Sequence, residues 1–175
     1  MAKLRKILGA ADSPYIVSLM RLIETQSKTT LSNWCISYAE QYMLPIYEDT
    51  YPADTRPRDA LNAAKEWMDG KLKLPAVKKL VLDVHAAARE AEDNPAAQAA
   101  ARTVAQAAAV IHTPTHSLGL AFYGAAAMAY SQAGINEKPE VYEQIAAEEC
   151  AKMEAALRAI AVPDEKNPAK INWNC

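Results

Sequence analysis

An all-α fold, a single-domain bundle of about six or seven helices, is predicted by three observations on this 175-residue chain. Alanine fills about a fifth of the positions while Gly occurs 5 times and Phe once, a composition suited to closely packed helices rather than sheets. Most of the 10 prolines fall where a helix should begin, in the first turn, where no backbone N–H is needed. Between them apolar residues recur at three- and four-residue steps, and no alternating strand pattern is present. The length supports one domain, residues 1–175, ending in a polar tail over 162–175.

Asp12 or Ser13 followed by Pro14 opens the first helix, which carries Ile16, Leu19, Met20 and Ile23 on one face and runs to about Ser27. Thr29 or Thr30 opens the second, with Leu31, Trp34, Cys35 and Tyr38 inward and Pro45 kinking or restarting it before Tyr51. The third occupies the stretch YPADTRPRDALNAAKEWMDG from Tyr51: Asp54 or Thr55 caps it, Pro57 fits its first turn, and Gly70 ends it. Leu74-Pro75 begins the fourth, whose inward face is Val77, Leu80, Val81, Val84 and Ala88. Asn94 caps the fifth, where Gln98, Arg102 and Gln106 form one wet edge and the alanine faces stay free for close contact.

No Asp, Glu, Lys or Arg occurs between Arg102 and Glu137, so the end of the fifth helix and all of the next form the centre of the bundle. The longest apolar run there, Leu118 to Tyr130, is about thirteen residues, short of the twenty or so that a membrane span requires. Asn136 to Pro139 opens a last helix to about Ala161, in which Glu140 and Glu143 favour the N-terminal dipole and Val141, Ile145, Met153, Leu157 and Ile160 face inward. The tail has no helical period; either Trp173 pins it to the body or it is loose.

Several functions are disfavoured by what the chain lacks. A net charge of -2 with scattered basic residues offers no footprint for nucleic acid. Cys35, Cys150 and Cys175 are widely spaced without a CxxC pair, which fits a reducing cytoplasm, with Cys35 buried and inert and Cys175 terminal and exposed. The basic N-terminus is followed by too short an apolar run for a secretory signal. Neither a Gly-rich phosphate loop, a GxSxG elbow nor an HExxH pair is present. No cofactor is expected.

The side chains with marked chemistry are few. Arg56 and Arg58 stand at a helix start, the end at which the macrodipole disfavours cations, so something beyond helical stability holds them. They read either as forks for an anionic ligand or, more simply, as internal salt bridges to Asp54, Asp59 or a neighbouring helix. Trp67 shares the face of Leu61 and Ala64 and reads as core before binding platform. Of the three histidines, His112 and His116 are spaced as metal ligands often are, but Pro114 interrupts a helix between them. His85, level with about Arg102 on antiparallel helices, would lie roughly 15 Å from His112. Hydrogen-bonded interior or groove residues are therefore expected, and no metal site.

Trp34, Ala39-Glu40, Pro45, YPADTRPRDA, Trp67 with Gly70, HAAARE from His85, and His112 with His116 occur in an order that resembles the all-helical bacterial family of Imm-five-like immunity proteins, associated with polymorphic toxin systems. The resemblance covers about residues 31–130 and is most specific at Asp54, Arg56-Pro57-Arg58 and Trp67. It implies a cytoplasmic protein, not an enzyme, that binds a toxin domain and blocks it through protein–protein contact. The family pattern carries over Asp54, Arg56, Arg58, Trp67, His85, Arg89, His112 and His116 as binding positions; Pro114 departs from the small residue expected there. Alternatives are a small-ligand or metal-binding protein or enzyme with a histidine-lined groove, and a homo-oligomer joined through alanine-rich surfaces.

Overall fold

A computed structural model describes residues 3–174. The α-helices are α1 Pro14–Ile23, α2 Lys28–Tyr38, α3 Leu44–Thr50, α4 Arg56–Met68, α5 Leu74–Glu90, α6 Pro95–Ala109, α7 Ser117–Ala133 and α8 Pro139–Ile160. A π-helical turn, Ala39–Met43, carries α2 straight into α3, so the two form one bent helix and the bundle has seven helical segments among the described residues. The bend has a cause in the sequence. Pro45 has no N–H to donate, and the ladder before it widens so that Leu44 N–H reaches back five residues to the Ala39 carbonyl.

Helix α6 runs through the middle, packed against α2, α3, α4, α5 and α7, while α1 and α8 close the far side of α7. Ten of its residues are buried, all small or β-branched. Alanine lets neighbouring backbones approach, and it loses no side-chain entropy when it does so. Where α7 passes between α6, α8 and the π turn, a Cβ on Gly124 would lie 2.7 Å from Met153 Cε, which would have to swing aside, and in contact at 3.5 Å with Met43 Cε and Thr103 Cγ2. Trp34, fully enclosed, donates its indole N–H to the Met153 carbonyl at 3.0 Å and so ties α2 to α8.

Several boundaries differ from those the sequence suggests. Helix α1 stops at Ile23, and Ser13 accepts from Ala10 N–H in the preceding turn instead of capping. Ser27, not Thr29 or Thr30, caps α2 by accepting from Thr30 N–H. Thr55 precedes α4, but its hydroxyl turns to Asp59. Gly70, with φ +74, ends α4 through backbone bonds from Gly70 to Trp67 and from Lys71 to Glu66. Leu80 is only half-buried. In α8 the buried stripe is Tyr142, Ala146, Glu149, Cys150, Met153 and Leu157, leaving Val141 and Ile145 at its edge and Ile160 exposed beyond the last neighbour. The tail is pinned: Trp173 donates to Glu24 at 2.6 Å, and Ala169 and Val162 both bond the buried Gln26. Cys175 lies outside the described residues. Among those described, no helix is long and apolar enough to cross a membrane.

Gly124→Val tests the close passage of α7. It is expected to lower the unfolding free energy by about 1–3 kcal/mol in a urea titration, because the branched side chain must displace Met153 and Met43 in a filled core.

Candidate functional site

The first cluster is built at the corner where α3, α4 and α5 meet. A tight turn, with Asp54 N–H on the Tyr51 carbonyl, aims the Asp54 carboxylate back at the start of α4. It accepts the Arg56 backbone N–H at 3.1 Å, Arg56 Nε at 2.9 Å, Arg56 Nη2 at 2.7 Å and the Tyr47 hydroxyl at 2.6 Å. The far edge of the same guanidinium grips Glu90 of α5, at 3.2 and 2.6 Å. These bonds from Arg56, opposed by burial and helped by Tyr47, hold the Asp54 carboxyl down at about 2. Glu90 is lowered by the same guanidinium, and Tyr47 is raised by burial and by Asp54. Arg58 makes a second fork, to Glu48 of α3 at 2.7 and 2.8 Å.

The misfit of two arginines at a helix start is resolved by these pairs. Arg56 opens α4 and Glu90 closes α5, each at the end its own dipole disfavours. Because the two helices lie side by side in opposite directions, the misplaced charges meet and cancel. Trp67 lies about 16 Å farther along α4, half-buried against the core, and does not share this corner.

The second cluster continues along α5 toward α6. His85 and Arg89 stand one turn apart, and Gln98 across the gap donates to the Ala88 carbonyl at 2.7 Å. His116 Nδ1 bonds Gln106 Oε1 at 2.7 Å. That amide needs Gly119, where a Cβ would come within 2.5 Å of it. Pro114 starts a separate 3-10 turn, Pro114–His116, so His112 sits outside α7, yet its ring centroid stays 6.3 Å from that of His116. Buried His112 Nδ1 and Ser117 Oγ have no partner among the described residues.

All three histidines are lowered, first by burial. His85 is lowered further by Arg89, His116 and Arg102, and His112 by Lys78, His116 and Lys28. The three imidazoles are therefore neutral at pH 7, and Arg89 and Arg102 have no carboxylate within ion-pair distance among the described residues. Among those residues no group of three His, Cys, Asp or Glu could hold a metal ion. The arrangement donates hydrogen bonds and positive charge outward. Sequence reasoning did not single out Glu90 or Gly119, and noted Arg102 and Gln106 only as part of a wet edge.

The Asp54 network has a pH signature. Its folded carboxyl lies below the ordinary value near 3.8, so its stabilisation is present above about pH 4 and is lost as pH falls toward 2. Asp54→Asn is expected to lower stability by about 1–2 kcal/mol at pH 7, allowing for partial exposure of the pair, and the difference from the parent should vanish near pH 2 in acid-unfolding curves.

A family model described as "Imm-5 like putative immunity protein" matches residues 21–156, more than three quarters of the chain. Neither the search of curated proteins nor that of solved structures found a match. The matched stretch begins inside α1, ends inside α8 and contains both side-chain clusters. The chain therefore belongs to the Imm-5 like immunity protein family.

Proposed function

We propose that the protein binds a toxin domain through protein–protein contact and neutralises it, without chemistry of its own. The observation that carries this reading is the family match across nearly the whole helical body. The docking face we assign is the strip along α5 that joins the two clusters, from Arg56 and Glu90 through Arg89 and His85 to Arg102 and His116. Arg56 and Arg58 spend their forks on Asp54, Glu90 and Glu48, and so shape the face, whereas Arg89 and Arg102 retain donors for a partner's acidic groups. Neutral histidines beside them add donors at little desolvation cost.

The test is co-expression in a host cell with the toxin domain that accompanies this chain in its source, together with pull-down of the pair. Parent protein should restore growth and retain the toxin one to one. Arg89→Ala with Arg102→Ala should weaken retention by about tenfold or more, as expected for interface charges losing their partners. Failure of the parent to protect or bind would sink the immunity reading; binding unchanged in the double variant would remove this face from it.

A further inference from the structure

Away from α5, a groove of about 710 Å³ opens between α2, the π turn, α7 and α8, lined by Trp34, Tyr38, Tyr42, Met128, Glu149 and Lys152 among others. None of the binding positions that the family pattern carries over lies in it, yet its floor holds a deeply buried acid. Glu149 is 2% exposed. Its Oε1 accepts from the Tyr38 hydroxyl at 2.5 Å, and Oε2 has no hydrogen-bond partner among the described residues. Oε2 is not among the enclosed polar atoms left without a partner, so it opens on the groove, where its lone pairs are free to accept from a ligand. Lys152, one turn on and exposed at the rim, is not within ion-pair distance of it.

The walls fit the charge that the floor lacks. The Tyr38 and Tyr42 rings stand 4.7 Å apart at 46°, and Tyr42, 42% exposed, overhangs the mouth. Trp34 has already used its N–H on the Met153 carbonyl, so it offers the groove only its ring. Aromatic faces and a carboxylate attract a cation and repel an anion. A divalent metal ion, which requires six or so oxygen ligands, finds a single carboxylate here. The volume lies in the range of small-ligand pockets.

We propose that this groove binds an organic cation, an alkylguanidinium or alkylammonium group, with Glu149 receiving the charge at the floor and the Tyr38 and Tyr42 rings flanking the apolar stem. The site goes beyond the immunity reading and stands independently of it. The cation is either a free small molecule or a basic side chain on a protein partner, and both present the same chemistry.

The intact chain is titrated with butylguanidinium and, separately, with N-acetyl-arginine methylamide, following the Trp34 indole and tyrosine ring resonances by NMR. Butylurea and N-acetyl-citrulline methylamide serve as neutral counterparts of the same shape. Both cations should give saturable shifts, the ureas should bind about tenfold or more weaker, and Glu149→Gln should weaken the cations by about as much. Tyr42→Ala, at an exposed position that leaves the fold intact, should weaken them several-fold. Tighter binding of butylguanidinium marks a free small molecule as the occupant, and tighter binding of the capped arginine marks a partner's side chain. The proposal is overturned if neither cation saturates, if the ureas bind as well as the cations, or if Glu149→Gln and Tyr42→Ala both bind like the parent.

Discussion

The close approach of α6 and α7 is the constraint on which the rest of this structure depends. Both helices are lined with alanine, carry no charge from Thr103 to Asn136, and interlock where Gly124 leaves room for two methionine methyl groups. Small side chains give little transfer free energy each, so stability here comes from many contacts at short range and from the small entropy that alanine loses. The remaining helices are arranged around that pair, and the charged groups lie on the outer surface apart from Glu149, which is buried between α2 and α8. Function is therefore sought in the helical shell, since the polar groups of the centre are few and Thr103 has already turned its hydroxyl to the Ala99 carbonyl.

Within that shell the charges are not evenly spent. At the corner of α3, α4 and α5 three acids, Asp54, Glu90 and Glu48, find an arginine, and the geometry is two-pronged, which fixes orientation as well as distance. A few residues along α5 and α6 the balance reverses, with two arginines close enough to lower the neutral His85. In the groove beyond α7 it reverses again, with a buried acid and aromatic rings. A protein of net charge -2 thus presents surfaces of opposite character, and their separation by the apolar centre keeps the opposite charges from cancelling one another.

Much of this was legible in the sequence, and the illegible parts have physical reasons. Prolines and apolar spacing placed nearly every helix, and Ile16, Leu19, Met20, Ile23, Leu31, Trp34, Cys35 and Tyr38 all lie inside as their spacing requires. The start of α2, which depends on which of several hydroxyls caps, was missed by two or three residues, because Ser27, Thr29 and Thr30 offer similar chemistry at neighbouring positions. The conflict of Arg56 with its helix dipole was visible, but its partner Glu90 lies 34 residues away and only the packing of α4 on α5 brings it near. Glu149 hid for the opposite reason: an acid in a run of acids reads as solvated, although it falls on the stripe of Tyr142, Ala146, Met153 and Leu157. The gap left for the Gln106 amide by Gly119 was equally silent, since a glycine inside a helix does not say what fills the space beside it.

The Arg56–Glu90 clasp has a consequence for how the protein folds and yields. Taken alone, α4 begins with a cation and α5 ends with an anion, so each as an isolated segment is a poorer helix than its length suggests. Each becomes a good one only beside the other. The two helices are therefore conditional partners: when the start of α4 frays, the end of α5 loses its counter-charge, and the reverse holds as well. Any molecule that draws Glu90 outward leaves Arg56 to Asp54 alone and removes the counter-charge from both helix ends at once.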